Sequence, residues 1–360
     1  MANPVTKLRN TAEEFKIKSP KDKKRFIVDS ILNNALYILM LIFVIYTAIM
    51  KPNFLSLGSL ANLITQVAAY LPMALGIGGC IVLTGTDLSA GRVMGLTAAV
   101  SAVFMQKLDI PNRMFAAMPE PSVPWLLVTL LVVLAIGALI GLVNGFFVAK
   151  FSLHPFIVTL STQLITYGII LWFFNLNDNN GTPFGGLSDV YMDSVGGTMF
   201  RLDNIGVPVY VLYAVILTAL MWFIWNKTTF GKNMFAVGSN AEAAKVSGVN
   251  VFWTTVLVHT LAGACYGYAG FIEGVRSGSV QAGTGMNAEC DAIAACVIGG
   301  VSFVGGTGKI SGIILGVVIL RLIFVALTML GVGSSSLYII KGAIILCACA
   351  LDMRKYLVKK

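Results

Sequence analysis

The chain has 360 residues, of which 57% are hydrophobic and only 11% are charged, and its mean hydropathy is +0.84. Soluble domains carry roughly 25% charged residues, so this composition excludes a soluble protein and favours one helical bundle with the bilayer as its solvent. The net charge of +9 would suggest nucleic-acid binding in a soluble chain, but basic loops retained on one side of a membrane explain it here, and no nucleic-acid partner is expected.

Apolar runs of about twenty residues, the length of a membrane-spanning helix, recur along the chain and predict ten transmembrane helices. Residues 1–30 are polar and are assigned to a basic cytoplasmic segment rather than to a signal peptide. Residues 31–351 then form a single all-α transmembrane domain, and residues 352–360 a cytoplasmic tail. The predicted spans cover residues 31–50, 60–83, 87–106, 125–149, 156–174, 208–225, 251–272, 290–305, 310–330 and 337–351.

Lysine and arginine are distributed unevenly between these spans. With both termini inside, the predicted cytoplasmic segments hold eighteen of them, Arg92 included, and the predicted outer segments hold five. The positive-inside rule therefore predicts an N-in, C-in orientation. Two connections are long: residues 175–207 form an acidic outer loop, and residues 226–250 form a cytoplasmic loop.

Polar side chains line one face of two predicted spans. In hydrocarbon such a face must meet another helix or a water-filled path, and both interpretations remain open. Neutral hydroxyls and amides would suit a polyol better than an ion. The second span carries Asn62, Thr65 and Gln66, and the fifth carries Thr159, Thr162, Gln163 and Thr166.

The stretch LTGTDLSAGR at 83–92 predicts a structural motif formed by Gly85, Asp87, Gly91 and Arg92. The apolar run that follows is too short to span alone, so its helix should begin near Asp87, whose carboxylate would cap the N-terminus. Arg92 is close enough to pair with Asp87 or with the phosphate of a membrane lipid.

Acidic residues at depth are the usual mark of ion-coupled transport. Glu289 and Asp291 fall at the edge of one predicted span and Asp87 at the edge of another, so none is expected in mid-span. This placement argues against a secondary transporter, although sodium sites built from carbonyls leave no trace in a sequence.

The chain lacks the signatures of an enzyme or a metal site. His154 and His259 have no evident catalytic partner, no H-E-x-x-H occurs, and the six cysteines form no C-x-x-C pair. The glycine-rich run 299–311 fails the phosphate-loop pattern, because position 303 is Phe and Ile310 follows Lys309. We therefore expect no catalytic residue, no metal and no ATP hydrolysis by this chain, and interpret these glycines as helix-packing residues.

Residues 238–250, GSNAEAAKVSGVN, form a polar island in the second long loop. Ser239 and Glu242 have the spacing of a capping box, and Gly248 is a natural stop, which predicts a helix of barely two turns. So short a helix is marginal alone, which suggests that it is stable against a partner.

The sequence Glu242-Ala243-Ala244, followed by Gly248, resembles the E-A-A-x-x-x-G signature of permease subunits of bacterial ABC importers. Longer segments at 227–251, 84–92, 291–308 and 338–356 are similar to the ribose/galactose branch of the sugar permeases. Cys290 and His154 depart from the pattern expected of that branch.

The resemblance implies an ABC importer permease fold of about ten helices, working as a homodimer in the bacterial inner membrane. A cytoplasmic ABC ATPase would use the ATP, a periplasmic binding protein would deliver a monosaccharide, and this chain would bind no cofactor. The galactose branch implies galactose or methyl galactoside as the substrate. The residues implied to couple the permease to the ATPase are Ser239, Asn240, Glu242, Ala243, Ala244 and Gly248. In that helix Glu242 would cap and make a polar contact, the two alanines would allow close approach, and Gly248 would supply the turn.

The candidate path residues are Asn62, Gln66 and the fifth-span set Thr159, Thr162, Gln163 and Thr166. Three alternatives stay open: an importer for another pentose or hexose such as ribose or xylose, an ion-coupled sugar transporter, and a membrane enzyme acting on lipid-linked sugars.

Overall fold

The computed structural model describes residues 35–111, 113–202 and 205–357. These residues are mostly helical, with one two-stranded antiparallel hairpin. The predicted N-terminal segment 1–30 and the last three residues of the predicted tail lie outside them. The elements in chain order are α1 (Ala35–Met50), α2 (Leu57–Val82), α3 (Ala90–Phe104), α4 (Val123–Phe151), α5 (Pro155–Phe174), α6 (Asp189–Gly196), β1 (Thr198–Leu202), β2 (Ile205–Pro208), α7 (Tyr210–Lys227), α8 (Thr229–Ser239), α9 (Ala241–Val246), α10 (Val251–Ser277), α11 (Ala288–Ile298), α12 (Ile310–Met329) and α13 (Ser334–Leu357), with short 3-10 turns at Pro52–Leu55 and Leu176–Asp178.

Six of these helices are long and apolar enough to cross a membrane: α2, α4, α5, α7, α10 and α12. The other four predicted spans also contain helix, but with shorter apolar stretches. Met40–Met50 in α1, α3, and Ser334–Cys347 in α13 are apolar over fewer residues, and α11 has only 11 residues. The chain is thus a multi-pass helical membrane protein.

Two predicted spans differ from the observed helices α3 and α11. Helix α3 begins at Ala90 rather than near Asp87, because residues 83–89 are largely non-helical and Thr84 has a φ of 64°. Helix α11 ends at Ile298 rather than at residue 305, because Gly300 takes a φ of 83° and breaks the helix. At 1.5 Å per residue, α3 is about 22 Å long and α11 about 16 Å, so each covers only part of a bilayer.

The N-terminal ends of these two short helices meet inside the bundle. A Cβ on Gly91 would overlap both the carbonyl of Gly285 and the carboxylate of Glu289, so only glycine permits this approach. A Cβ on Gly95 would likewise overlap the carbonyl of Thr284. Because the N-terminal end of a helix carries a partial positive charge, the bundle interior receives two such ends side by side.

Helix α10 packs closely on α4 through small residues. Gly141 on α4 faces the carbonyl of His259, and Gly263 on α10 faces the carbonyl of Gly137, with no room for a side chain at either position. Gly267, four residues after Gly263, fits against Val133 in the same way. Small residues every four positions let two helix backbones approach, which is how helices associate in a bilayer without a hydrophobic driving force.

The two long loops lie at opposite ends of the bundle. At the 226–250 end, the Gly306 amide donates to the carbonyl of Val82, 2.9 Å away, at the end of α2. At the 175–207 end, the Lys107 amide donates to the carbonyl of Gly186 at 2.9 Å, and the Tyr191 hydroxyl donates to the carbonyl of Phe271 on α10.

Candidate functional site

Helix α8 is firmly attached to the transmembrane helices. The Thr228 hydroxyl caps it by accepting from the Gly231 amide at 3.1 Å, and Met234 is buried. The ring of Phe235 meets that of Trp225 on α7 edge-on, with 5.7 Å between centroids. Gly238 lies against the Val82 carbonyl so closely that a Cβ there would overlap it. A displacement of α8 must therefore reach the end of α2.

Helix α9 follows α8 after a single residue and is capped by that residue. Asn240 is extended, with a φ of −164°, and its Oδ1 accepts from the Ala243 amide at 2.9 Å. The predicted capping box of Ser239 and Glu242 is wrong, because Ser239 is still the last residue of α8 and an N-cap needs a non-helical backbone. Gly248 has a φ of 84° and ends the helical stretch, as predicted.

The six residues of α9 present most of their surface to the outside. Of the residues implied to couple, Ser239, Asn240, Glu242, Ala243 and Gly248 are exposed. Ala244 is only 5% exposed and is turned into the protein, so only Ala243 of the two alanines can meet a partner directly. Val246 is 89% exposed, an isolated branched apolar side chain at the tip of the loop.

The polar face of α5 packs against its neighbours. The Thr159 hydroxyl is buried, donates to the Thr86 carbonyl at 3.3 Å and accepts from the Leu88 amide at 3.1 Å. The Thr162 hydroxyl donates to Asn144 Oδ1 on α4 at 2.6 Å. Thr166 is also buried and Gln163 is half-buried. These contacts favour the interhelical interpretation for this stripe over the path interpretation.

The polar face of α2 is arranged differently. Asn62 is exposed, Gln66 is half-buried, and the Gln66 amide donates to Asn62 Oδ1 at 3.2 Å along the helix. Thr65 turns its hydroxyl back to the carbonyl of Ala61, 2.8 Å away. Asn62 and Gln66 thus present free polar surface near the 175–207 end, where a path interpretation remains open.

Asp87 lies in a buried polar cluster in front of α3. Its Oδ1 accepts from the amide of Ser89 at 2.9 Å and from its hydroxyl at 2.6 Å, and Asn144 Nδ2 donates to the same hydroxyl at 3.1 Å. The residue before α3 is Ser89, so Asp87 is not the N-cap of α3 but stabilises the turn that leads into that helix. Gly85 allows this turn to pack on Pro155.

Three possible metal ligands meet beside Asp87. Asp87 Oδ2 lies 4.0 Å from His259 Nδ1, and Cys80 Sγ lies 3.6 Å from the same nitrogen. The ligand atoms all fall within 4.8 Å of one another, and the three residues are buried. They come from three separate segments, so spacing along the chain could not reveal the group. The expected absence of a metal stays a prediction.

Arg92 does not make the contacts predicted for it. It is only 7% exposed and its guanidinium lies 4.1 Å from the centroid of the Tyr167 ring. Within the described residues it forms no ion pair with Asp87, and burial keeps it from lipid headgroups. Its Nη1 has no hydrogen-bond partner there, and neither has Oε2 of the buried Glu289.

A second charged cluster joins residues that are far apart in the sequence. Asp291, in the first turn of α11, receives Arg321 Nη2 on one carboxylate oxygen at 2.6 Å and Lys341 Nζ near the other at 2.7 Å. Asp87, Glu289 and Asp291 are all buried within the helical bundle, and the expectation that none of them lies in mid-span stays a prediction. A signal for the cluster was available, because basic residues inside apolar spans need an acidic partner.

Comparison with known proteins gives one family. Residues 59–349 match the family described as the permease component of branched-chain amino acid transport systems. The galactose/methyl galactoside import permease protein MglC of Haemophilus influenzae is 43% identical over 332 residues, which are 92% of this chain and 97% of the relative. The protein of that name from Escherichia coli is 42% identical over 346 residues, 95% of this chain and 100% of the relative.

The ribose import permease protein RbsC of Escherichia coli is more distant. It is 33% identical over 319 residues, which are 88% of this chain and 92% of the relative. No solved structure matches the chain.

Proposed function

Because this chain belongs to the family of permease components of branched-chain amino acid transport systems, we propose that it is the membrane-spanning subunit of an ATP-driven importer for galactose and methyl galactoside. The observation that carries the proposal is the similarity to the galactose/methyl galactoside permeases over more than nine-tenths of the chain. The ribose permease is less similar, which favours the hexose.

The proposal includes ten membrane crossings in the inner membrane with both termini in the cytoplasm. Burial of Arg92 removes one residue from the cytoplasmic count of basic side chains, but the strong asymmetry persists. Lys150, Lys227 and Lys309 are exposed at the end where the rule requires positive charge. Helices α3 and α11 would cross only together with the non-helical segments that precede them.

Helix α9 is proposed to be the contact with a separate ABC ATPase. It is a capped but very short helix whose exposed surface includes Ala243 and Val246, and a helix of this length gains stability from a partner. Force applied to α9 would pass through Asn240 into α8, and from Gly238 to Val82 at the end of α2. ATP would thus be used by the partner, and the bundle would be driven from outside.

Two further partners complete the proposed transporter. A second copy of this chain would form a homodimer, and a periplasmic sugar-binding protein would deliver the substrate at the 175–207 end. High affinity would then belong to the binding protein.

Reconstitution tests the proposal. The chain is purified with a candidate ABC ATPase from the same organism, placed in liposomes, and supplied with a candidate periplasmic sugar-binding protein and labelled galactose. We expect uptake that requires ATP and persists when ion gradients are collapsed. Uptake driven by a proton or sodium gradient without ATP would establish the ion-coupled alternative, and ATP-driven uptake of ribose or xylose with no uptake of galactose would overturn the substrate.

A further inference from the structure

A cavity of about 280 Å³ lies among α2, α11, α12 and α13. It opens beside the start of α13 and is separate from the residues of α8 and α9 that form the proposed coupling site. Its walls combine the charged cluster with aromatic rings: Tyr70, Asp291, Arg321, Phe324, Tyr338 and Lys341.

The charged groups in this wall are buried and only partly satisfied. Asp291 and Arg321 are each 6% exposed. Asp291 carries a charged partner on both oxygens, since Lys341 Nζ lies 2.7 Å from Oδ1 and Arg321 Nη2 2.6 Å from Oδ2. Within the described residues, Arg321 Nε has no hydrogen-bond partner, and an unsatisfied buried donor is unfavourable, so a ligand that offers an acceptor would be favoured here.

Aromatic rings stand around the same charges. The Arg321 guanidinium lies 3.4 Å from the centroid of the Tyr70 ring, and Lys341 Nζ lies 5.3 Å from the Tyr338 centroid and 5.5 Å from that of Phe324. Tyr338 is 59% exposed, so its ring can cover a molecule that enters.

This set of groups fits one class of ligand. A cation would be repelled by two basic side chains, an anion would meet the Asp291 carboxylate, and an apolar molecule would leave the polar atoms unpaired. A neutral monosaccharide offers hydroxyls that donate to a carboxylate and accept from a guanidinium or an ammonium, and its C–H faces can lie against aromatic rings.

Polar side chains on α2 lie between the cavity and the 175–207 end. Asn62, Gln66 and Tyr70 follow at intervals of four residues, so they lie on one face of α2 at steps of about 6 Å. Beside the last step, Arg276 lies 5.7 Å from the Tyr70 ring and forms a two-bond ion pair with Glu273 at 2.7 Å.

We propose that this cavity is a transient binding site for the monosaccharide within the permease, reached along Asn62 and Gln66. The carboxylate of Asp291 and the donors of Arg321 and Lys341 bind the hydroxyls, and the ring of Tyr338 covers one sugar face. This assignment rests on the proposed import function and adds the place where the chain itself contacts the sugar.

The test compares variants of the complete transporter in liposomes. Removal of the covering ring by Tyr338→Ala should lower the rate of galactose uptake about fivefold to tenfold, the effect of one lost aromatic contact, and Tyr338→Phe should restore most of it. Lys341→Met should also lower uptake, because a donor to the sugar is lost. Ile339→Ala is the matched control, since that side chain is 74% exposed on the same helix and does not line the cavity.

A second measurement separates sugar contact from folding. With Cys347, which is exposed, replaced by Ser, a thiol reagent is used to label Tyr338→Cys and, as control, Ile339→Cys. Galactose should slow labelling at position 338 and leave position 339 unchanged. Two results would overturn the binding site, provided that the wild type imports galactose. One is equal uptake by Tyr338→Ala, Lys341→Met and the wild type, and the other is labelling at position 338 that galactose does not slow. A wild type that imports no monosaccharide would instead overturn the proposed function.

Discussion

Replacement of Asn240 by alanine tests the link between α9 and transport. The side chain makes the hydrogen bond that caps α9, to the Ala243 amide at 2.9 Å. Loss of an Asn cap costs about 1 kcal/mol, which corresponds to about a fivefold fall in the ratio of folded to frayed helix. A helix of six residues has no cooperative reserve with which to absorb that loss.

The assay measures galactose uptake and ATP hydrolysis together in the reconstituted transporter. We expect Asn240→Ala to lower the number of sugars imported per ATP several-fold, and Asn240→Ser, which retains a capping oxygen, to restore it. Asn250→Ala is the matched control, because Asn250 caps α10 in the same way, with its Oδ1 accepting from the Trp253 amide at 3.0 Å, and it is not among the residues implied to couple. A larger loss with Asn250→Ala than with Asn240→Ala would refute the cap assignment, and normal coupling in both variants would refute the role of α9.

Three further predictions concern packing and charge. Ala243→Leu should weaken copurification of the ATPase while the melting temperature of the permease in detergent stays normal. Ala244→Leu should instead lower that temperature, because the site is buried. The reverse pattern would contradict the orientation of α9. Gly141→Ala should destabilise the permease strongly in the same melting assay, since its Cβ would overlap the His259 carbonyl. Gly168→Ala, with open space around it, should be neutral or stabilising by up to about 1 kcal/mol. Equal effects of the two substitutions would disprove the close α4–α10 contact. Asp291→Asn should cost about 3–5 kcal/mol by leaving the buried Arg321 and the half-buried Lys341 without their carboxylate, and Lys341→Met should cost less because the Arg321 pair survives. A neutral Asp291→Asn would mean that the cluster is not buried in the membrane-embedded protein.

Helix positions could be predicted from the sequence because a bilayer leaves the backbone few choices. Every polar backbone group in hydrocarbon needs an internal partner, so an apolar run of sufficient length has to be helical. Interrupted helices are harder to predict from hydropathy, because an apolar run does not show where its backbone leaves the helix. Residues 83–89 and 278–287 are non-helical and lie between helices, and hydropathy alone does not show that they bring the starts of α3 and α11 together inside the bundle.

The two polar stripes show why the site was less predictable than the fold. Both have the spacing of one helix face, yet Thr159 and Thr162 are bound by Thr86, Leu88 and Asn144, while Asn62 is exposed. The distinction depends on partners from other segments, which periodicity does not identify.

The charged cluster was missed for a related reason. Asp291 and Arg321 are thirty positions apart and Lys341 lies twenty further on, so neither helical spacing nor a local motif links them. Asp291 also follows a polar stretch, and a carboxylate there has the same sequence pattern whether it meets water or the bundle interior.

The proposed coupling helix and the proposed sugar site share their mechanical elements. Helix α8 contacts the chain at the end of α2, where Gly238 meets Val82, and at the loop between α11 and α12, where Gly306 binds Val82 and approaches Ser239. Helices α2, α11 and α12 carry Tyr70, Asp291 and Arg321, respectively, in the cavity wall.

The remaining wall, with Tyr338 and Lys341, belongs to α13, which lies outside that contact. A push on α9 would therefore shift one wall of the cavity against the other and change the fit to a bound sugar. The exposed helix α9 would thus control the cavity without touching it, because α8 contacts the ends of helices that form the cavity wall.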